Sequence, residues 1–251
     1  MEGRRVTFIC ALWQGDWVGL PDASSRNYSP VYVERLKDMI CRSTSYDVDF
    51  LCLSNLPASD FREDIRVEPL RMNWPAWWSK IEMFNPDLDT AERVVTMDID
   101  VVITGNLDSV IEHPAKAAAC DYWSMSSFTS RRQAIAKARS NKGKKLVPEF
   151  STNTMVFDKG IMGPLFKAMD SAYIDHFCGD QDYIGADHYM LRVPLIKFPR
   201  GWFRKIRAKD RGYNPLFADN LKALACHPVK NHELRRRGYT GLTNIWEGKN
   251  E

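Results

Sequence analysis

The segment from residue 93 to residue 103 constrains the fold most strongly. Its two apolar, β-branched halves, Arg93–Met97 and Val101–Ile103, predict buried strands. Asp98 and Asp100 interrupt them, and residues two apart in an extended chain point to the same face. Two like charges at the end of a buried strand are unfavourable unless a cation neutralises them. We therefore predict a site for Mn²⁺ or Mg²⁺, which prefer carboxylate oxygens; the alternative is a pair of solvated aspartates beside a turn.

The same Asp-x-Asp spacing occurs elsewhere in the chain, at positions 47/49, 87/89 and 180/182. The spacing alone is therefore a weak signal, and the surrounding residues must separate the pairs. The pairs at 47/49 and 87/89 stand beside turn-forming residues, which predicts solvated turns. The pair Asp98 and Asp100 differs because it interrupts an apolar segment.

Strand and helix patterns alternate along the chain. Short apolar runs predict strands at residues 6–12, 50–53, 65–67, 93–97, 101–103, 115–123, 154–157 and 221–226. One helical pattern begins at Pro30, and three others cover residues 77–84, 161–173 and 180–190. This alternation predicts one α/β domain over residues 1–251, with an open, mostly parallel or mixed sheet flanked by helices. Ligands of such sheets bind beyond the carboxyl ends of the strands.

Composition limits the class of protein. A chain of 251 residues with 44% hydrophobic and 27% charged residues is typical of a soluble globular domain. No apolar run approaches the roughly 18–20 residues needed to span a bilayer, and the first apolar run is too short for a signal sequence. We therefore expect a cytoplasmic protein. The six cysteines are scattered, which favours reduced core cysteines over a disulfide framework or a zinc site.

Positive charge is concentrated in a few stretches of the chain. The net charge is only +3, yet residues 131–145 and residues 197–211 carry seven Lys or Arg each. The first stretch belongs to a basic insertion around residues 128–148, and the second opens a basic C-terminal segment, 197–251. Such a distribution predicts a local field that attracts polyanions. The alternatives are that these basic stretches form solvated loops or are attracted to lipid phosphate.

Several segments, taken in order, resemble the glycosyltransferases of the GT-A fold. The likeness is greatest to glycogenin-like transferases and to compact bacterial and phage glycosyltransferases. The segments are YSPVYVERL (28–36), WWSKIEMF (77–84), VVTMDIDVVITGNLDSV (94–110), STNTMVFD (151–158), GDQDYI (179–184) and ACHPVKNHE (225–233). Their common order along nearly the whole chain is far more specific than any single segment. The resemblance implies a GT-A domain in a bacterium or a phage-infected cell.

The resemblance also implies the ligands of a metal and a diphosphate. Asp98, Asp100 and His227 would hold the metal, with Asp98 also contacting the donor. Lys80 and Lys230 would contact the diphosphate and offset charge on the leaving group.

The segment that carries His227 departs from the family pattern. The glycine expected after this histidine is Pro228, and the lysine arrives one residue early. His232 could therefore replace His227 as the metal ligand.

Further implied contacts involve the sugar and the nucleotide base. The residues expected around the sugar and its reacting carbon are Asn153, Asp180 and Gln181. Those expected to cradle the base are Ala11, Leu12, Trp13 and Tyr28. The family pattern has Ser-Gly where this chain has Thr152-Asn153-Thr154, which predicts an altered sugar preference.

We therefore expect a metal-dependent enzyme that moves a sugar from a nucleoside diphosphate sugar, with UDP as the favoured nucleotide, to a hydroxyl acceptor. The resemblance implies retention of anomeric configuration. The basic stretches 131–145 and 197–211 favour a phosphate-rich acceptor, with hydroxymethylated bases of DNA as the leading hypothesis. A glycan, lipid or protein acceptor remains open. So does a nucleic-acid-binding protein without catalysis, whereas a two-metal nuclease or phosphatase needs more clustered acids.

Two groups of aromatic residues have alternative interpretations. Trp74, Trp77 and Trp78 could stack on a sugar or base, but their spacing favours core anchors. Trp202 and Phe203 stand among Arg and Lys residues, as in proteins that stack on unpaired bases. A packed loop hinge explains these two residues equally well.

Overall fold

The computed structural model describes residues 4–15, 28–122, 144–147, 149–205, 222–225 and 240–248. His227, Lys230 and His232 lie outside the described residues. So do residues 128–143 and 148 of the basic insertion and residues 206–211 of the second basic stretch.

A seven-stranded sheet forms the centre of the fold. Its strands are β1 (Arg5–Leu12), β2 (Asp47–Ser54), β3 (Arg66–Pro69), β4 (Arg93–Met97), β6 (Ala117–Asp121), β7 (Phe150–Asp158) and β8 (Leu195–Lys197), in the order β3-β2-β1-β4-β7-β6-β8. The pairs β1–β2, β1–β4, β2–β3 and β6–β8 are parallel, whereas β7 runs antiparallel to both β4 and β6. The carboxyl ends of β1 and β4 therefore meet the amino end of β7 at one edge of the sheet.

A second, three-stranded sheet lies beside this edge. It contains β5 (Val101–Ile103), β9 (Phe203–Lys205) and β10 (Ala223–Ala225), in the order β5-β10-β9. Strand β10 pairs antiparallel with β5 and parallel with β9. Because β5 follows β4 after three residues, the two sheets are joined at the acidic pair.

Short helices cover the sheet. They are α1 (Pro30–Arg42), α2 (Asp108–Ile111), α3 (Gly163–Ala168), α4 (Ala172–His176), α5 (Asp180–Asp187) and α6 (Thr240–Glu247), with 3₁₀ helices at Ala58–Asp60 and Ala76–Phe84. Pro30 occupies the first turn of α1, where its missing N–H costs nothing.

Apolar side chains fill both faces of the sheet. On β1, Phe8 and Cys10 belong to the core under α1, whereas Ile9 belongs to the core on the opposite face. This alternation is the two-residue period of a strand. Trp78 is fully buried in the second core, and Leu36 of α1 is fully buried in the first. The result is a sheet enclosed between two layers, as the alternating sequence pattern predicts.

Several predicted elements differ from the observed ones in extent. The strand predicted over 115–123 is the shorter Ala117–Asp121, and that predicted over 154–157 is the longer Phe150–Asp158. The helix predicted over 161–173 is two short helices, α3 and α4. Its apolar residues match a single helix, but the chain is extended at Met169, where ψ is 125°.

The predicted solvated turn at 47/49 is wrong for Asp49. The two aspartates begin strand β2, and the Asp49 side chain is only 11% exposed. Asp49 Oδ2 accepts a hydrogen bond from the Thr7 hydroxyl at 2.9 Å and forms ion pairs with Arg5 and Arg66 at 3.3 Å each. Two guanidinium groups from neighbouring strands thus offset its burial. Both aspartates of the pair at 87/89 are exposed, as predicted, and Asp87 lies in a turn.

The interpretation as core residues holds for the tryptophans and for three of the five described cysteines, whereas Cys41 is exposed and Cys178 is partly buried. Within the described residues the cysteines are free, and Cys10, Cys52 and Cys120 are buried. Trp74 is 7% exposed, and both Trp74 and Trp78 belong to one core. Trp77 is partly buried and packs against that core.

Candidate active site

The acidic pair lies in a tight turn between β4 and β5. The Asp98 N–H donates to the Asn153 carbonyl at 2.8 Å, and the Val101 N–H donates back to the Asp98 carbonyl at 3.3 Å. Ile99, between the two acids, is 8% exposed and packs in the core under α1. Because Ile99 fixes the turn from the core side, Asp98 and Asp100 are directed away from that core.

Strand β7 is irregular opposite this turn. Ala119 of β6 pairs with Met155, but the next residue, Cys120, pairs with Ser151. Residues 152–154 are therefore bulged out on the β6 side, while β4 still pairs with β7 up to Thr154. A bulge breaks the alternation of side chains and re-aims them. Both Thr152 and Asn153 consequently reach the acidic site.

Lys80 links three groups at the centre of the site. It stands on the 3₁₀ helix Ala76–Phe84, and its ammonium lies 3.0 Å from Asp98 Oδ1, 2.8 Å from Thr152 Oγ1 and 3.2 Å from Asp180 Oδ2. Asp180 is the first residue of α5 and is 4% exposed. Asn153 completes the cluster, because its side-chain amide donates to Asp98 Oδ2 at 3.2 Å.

The second carboxylate of the pair contacts Tyr28. Asp100 is 6% exposed, and its Oδ2 accepts the Tyr28 hydroxyl at 2.6 Å. Burial and the nearby charge of Asp100 raise the pKa of Tyr28, so the phenol remains protonated and acts as the donor. Tyr28 also meets Tyr32 edge-on, with ring centroids 5.0 Å apart.

The electrostatics of the cluster reflect an excess of negative charge. Burial, with Asp100 and Asp180 nearby, raises the pKa of Asp98 to about 6, although Lys80 opposes this shift. Burial disfavours the charged ammonium of Lys80, but Asp180 and Asp98 outweigh burial and raise its pKa. Two carboxylates, Asp98 and Asp180, thus contact the single ammonium, and the charge of a third, Asp100, acts on Asp98. The cluster therefore carries a net negative charge, which a further cation would reduce.

The donor set fits a hard divalent ion in part. Asp98 and Asp100 offer carboxylate oxygens, the ligands that Mn²⁺ and Mg²⁺ prefer. Among the described residues, no group of three or more His, Cys, Asp or Glu is arranged to hold a metal. The third predicted ligand, His227, and its alternative, His232, lie outside that part of the chain.

The residues predicted to cradle the base lie at the carboxyl end of β1. Leu12 is 1% exposed and packs in the core, so only its backbone can face a ligand. The Trp13 indole N–H donates to the Asn73 side chain at 3.1 Å. Ala11 is partly buried beside the second core. The structure places these residues beside the acidic turn because β1 and β4 are neighbours in the sheet.

The predicted sugar-side residues are brought together except for Gln181. Asp180 and Asn153 both contact the Lys80–Asp98 cluster. Gln181 follows Asp180 in the first turn of α5 and is partly buried.

Sequence reasoning assigned no contact to Thr152, which the structure places at the site, or to Asp182, which it buries two residues beyond Asp180. Thr152 contacts both Lys80 and Asp180. Asp182 follows Gln181 in the sequence and is 1% exposed. The second aspartate of a Gly-Asp-Gln-Asp segment on a buried helix was an available signal for Asp182. For Thr152 the signal was absent, because a regular strand would direct it and Asn153 to opposite faces.

The structure favours the packed interpretation of Trp202 and Phe203. Phe203 is 4% exposed and belongs to the core under α1. The Trp202 ring stacks on Phe198 with centroids 6.0 Å apart and an interplanar angle of 28°. These contacts occupy the rings with protein partners.

Comparison with solved structures identifies the architecture as the GT-A fold of glycosyltransferases. The galactosyltransferase LgtC, solved with donor and acceptor sugar analogues, superposes with a TM-score of 0.60 at 11% identity, covering 97% of this chain and 95% of LgtC. Mouse xyloside xylosyltransferase 1 gives 0.54 at 9% identity, covering 90% of this chain and 99% of that protein. GlyE of Streptococcus pneumoniae TIGR4 gives 0.54 at 14%, covering 98% of this chain and 63% of GlyE.

These similarities are similarities of fold. No protein-family model matches the chain, and no curated protein matches it in sequence. The predicted fold class, an open and mostly parallel sheet flanked by helices in the GT-A arrangement, is confirmed. In the part of the chain that the structure describes, no helix is both long and apolar enough to cross a bilayer.

Proposed function

We propose that this protein is a metal-dependent glycosyltransferase that uses a nucleoside diphosphate sugar as donor. The observation that carries the proposal is a cluster of three carboxylates and one ammonium beside the carboxyl end of β4 in a GT-A fold. Asp98 and Asp180 are ion-paired to Lys80, and Asp100 accepts the Tyr28 hydroxyl. Substrates of open α/β sheets bind at this edge. A divalent ion and the lysine together would offset the charge of the three carboxylates, and a bound diphosphate would then need a further cation such as Lys230.

In this proposal the site residues divide into a metal side and a sugar side. Asp98 and Asp100 would hold Mn²⁺ or Mg²⁺, with His227 as the proposed third ligand. When bound, the ion would neutralise charge on the departing diphosphate. Asp180, held by Lys80 and Thr152, would face the sugar, together with Asn153 and Gln181. Lys80 and Lys230 would contact the diphosphate.

The donor nucleotide and the stereochemistry belong to the same proposal. The resemblance of the ordered segments to glycogenin-like transferases supports a UDP-sugar and retention of configuration. Tyr28 supports a nucleotide site, because its ring lies beside Asp100 at the carboxyl end of the sheet, next to the residues of β1. An aromatic ring at this point could stack on a base.

For the acceptor we propose a phosphate-rich molecule, with hydroxymethylated bases of duplex DNA as the first to test. The support is the uneven charge of the sequence, with basic residues concentrated at 131–145 and 197–211. Of the second stretch, Lys197 and Arg200 are exposed in the structure. Acceptor binding should weaken steeply as salt is added, since released counterions drive association with nucleic acid. Little dependence on salt would argue against nucleic acid.

The donor site is tested by joint stabilisation and by donor hydrolysis. Thermal unfolding is followed with UDP alone, Mn²⁺ alone and both, and we expect the midpoint to rise most with both. A panel of UDP-sugars then measures Mn²⁺-dependent hydrolysis. A nucleic-acid-binding protein without catalysis would show neither effect.

Matched variants locate the effect at the acidic turn. Asp100→Asn keeps an acceptor for the Tyr28 hydroxyl but removes the charge, so both joint stabilisation and hydrolysis should disappear while the metal-free protein stays folded. Asp89→Asn is the control, because the Asp89 side chain is 89% exposed in the loop before the amino end of β4, whereas the acidic turn follows its carboxyl end. Full activity of Asp100→Asn would refute the metal role of Asp100.

A further inference from the structure

We infer that Thr152 is a positioning residue that orients the Asp180 carboxylate, leaving one of its oxygens for the sugar. The inference rests on the proposed function and assigns a role to a residue that the sequence marks only as a departure from the family pattern. It follows from three contacts among buried groups, which together decide where the single hydroxyl proton of Thr152 goes.

Thr152 joins Lys80 and Asp180 directly. Its hydroxyl oxygen is 2.8 Å from the Lys80 ammonium and 2.6 Å from Asp180 Oδ2. An ammonium has no acceptor capacity, so Lys80 donates to Thr152. The hydroxyl proton is then directed to Asp180 Oδ2, which forms a short, charge-assisted hydrogen bond. Thr152 is 2% exposed, so water does not compete for these contacts.

Asp180 is consequently held through one oxygen. Oδ2 receives both the Thr152 hydroxyl at 2.6 Å and the Lys80 ammonium at 3.2 Å. No described residue donates a hydrogen bond to Oδ1. Two donors on the same oxygen fix the plane of the carboxylate, and Oδ1 is left to accept a sugar hydroxyl or to stabilise positive charge at the reacting carbon.

The bulge in β7 explains why a threonine can do this. The register jump between Ala119 and Cys120 frees residues 152–154 from the β6 ladder. Thr152 therefore faces Asp180 from the strand while Asn153 reaches Asp98 from the next position. Threonine also has few χ1 rotamers, which favours one direction for its hydroxyl.

The experiment compares two substitutions at Thr152 with a matched control. Thr152→Val has nearly the same shape but no hydroxyl, and Thr152→Ser restores the hydroxyl without the branched methyl. Thr96→Val is the control, because Thr96 is a fully buried threonine on the adjacent strand β4 whose hydroxyl has no hydrogen-bond partner among the described residues. Each protein is assayed for kcat and KM of Mn²⁺-dependent donor hydrolysis, for UDP affinity with Mn²⁺, and for its thermal midpoint.

We expect Thr152→Val to lower kcat by about 10- to 100-fold, the effect of losing one charge-assisted hydrogen bond. KM and UDP affinity should change by less than about threefold, because the metal side is untouched. Thr152→Ser should recover most of kcat, and Thr96→Val should match the wild type. A purely structural role would lower the thermal midpoint and leave kcat of the folded fraction unchanged.

Three results would overturn the inference. They are an unchanged kcat in Thr152→Val, an equal loss of kcat in Thr152→Val and Thr152→Ser, and a loss that appears in UDP affinity instead of kcat. If the wild type itself shows neither joint stabilisation nor hydrolysis, the proposed function fails, and the role of Thr152 fails with it. An active wild type that is indifferent to Thr152→Val refutes the positioning role alone.

Discussion

Asp182 should make the stability of this protein depend on pH. Its side chain is 1% exposed, and Oδ1 accepts the Val147 N–H at 2.7 Å. Burial, with a smaller contribution from the charge of Asp180, raises the pKa of Asp182 to about 7, although the Val147 hydrogen bond opposes the shift. Burial thus holds the carboxyl in its neutral form up to neutral pH.

The sign of the effect follows from this upward shift. Below about pH 4 both the folded and the unfolded chain bind the proton, and Asp182 costs no stability. As the pH rises from about 4 to 7, the unfolded chain releases this proton first, so the free energy of unfolding falls. A shift of about three pKa units at about 1.4 kcal/mol per unit corresponds to about 4 kcal/mol, fully developed above pH 7.

Asp182→Asn removes the titration while keeping an amide oxygen for the Val147 N–H. Urea unfolding of the variant and the wild type is measured between pH 4 and pH 8.5. We expect the stability of the variant relative to the wild type to increase by about 2–4 kcal/mol across this range. Asp175→Asn is the control, because the Asp175 side chain is 93% exposed. A difference between Asp182→Asn and wild type that is the same at every pH would refute the reasoning.

Three further substitutions test the scaffold by urea unfolding. Asp108→Ala removes the acceptor of the Ser45 N–H and hydroxyl, at 2.9 and 2.8 Å, and should cost about 0.5–1.5 kcal/mol because these groups are exposed to water. Glu82 is 3% exposed, and its carboxylate accepts the Arg71 N–H at 2.6 Å. Glu82→Ala leaves this N–H without an acceptor and should cost about 1–3 kcal/mol and expose the 70–75 loop to proteolysis. Leu36→Ala empties a fully buried site and should cost about 2–5 kcal/mol. Losses below about 0.5 kcal/mol would contradict each assignment.

The sequence predicts the sheet better than the helices. The first strand was expected at 6–12 and is observed at Arg5–Leu12, because its apolar run is continuous and buried on both faces. Strands β8 and β9 were not predicted. Each is three residues long, and such short segments carry too few residues for a periodic signal. The short helix α6 was missed for a related reason, because it follows a strongly polar stretch.

The acidic pair could be predicted because two charged side chains stand within an apolar segment. Two carboxylates within an apolar run demand an explanation, and the structure shows them close to Lys80 and Tyr28. The part of Lys80 was inferred from resemblance alone, since a single lysine on a short helix has no distinctive spacing. Its ion pairs with Asp98 and Asp180 depend on contacts 18 and 100 residues apart in the sequence, which local patterns do not encode.

For Asp49 the local sequence led to a wrong prediction. Its neighbours resemble a turn, and local propensity therefore favoured a solvated position. The structure buries it because Arg5 and Arg66, on the strands to either side, supply the compensating charge. Tertiary partners of this kind override local preference, and a single sequence does not reveal them.

The irregular edge of β7 also limits how this site can change during evolution. On one side β7 stays hydrogen-bonded to β4. On the other side, facing β6, residues 152–154 form a three-residue bulge, and regular pairing resumes at Met155. Substituting a side chain within this bulge can change the chemistry of the site without changing the pairing of the sheet. Losing or gaining one residue there would instead shift every later position to the wrong face, so selection can explore this stretch by substitution but hardly by length.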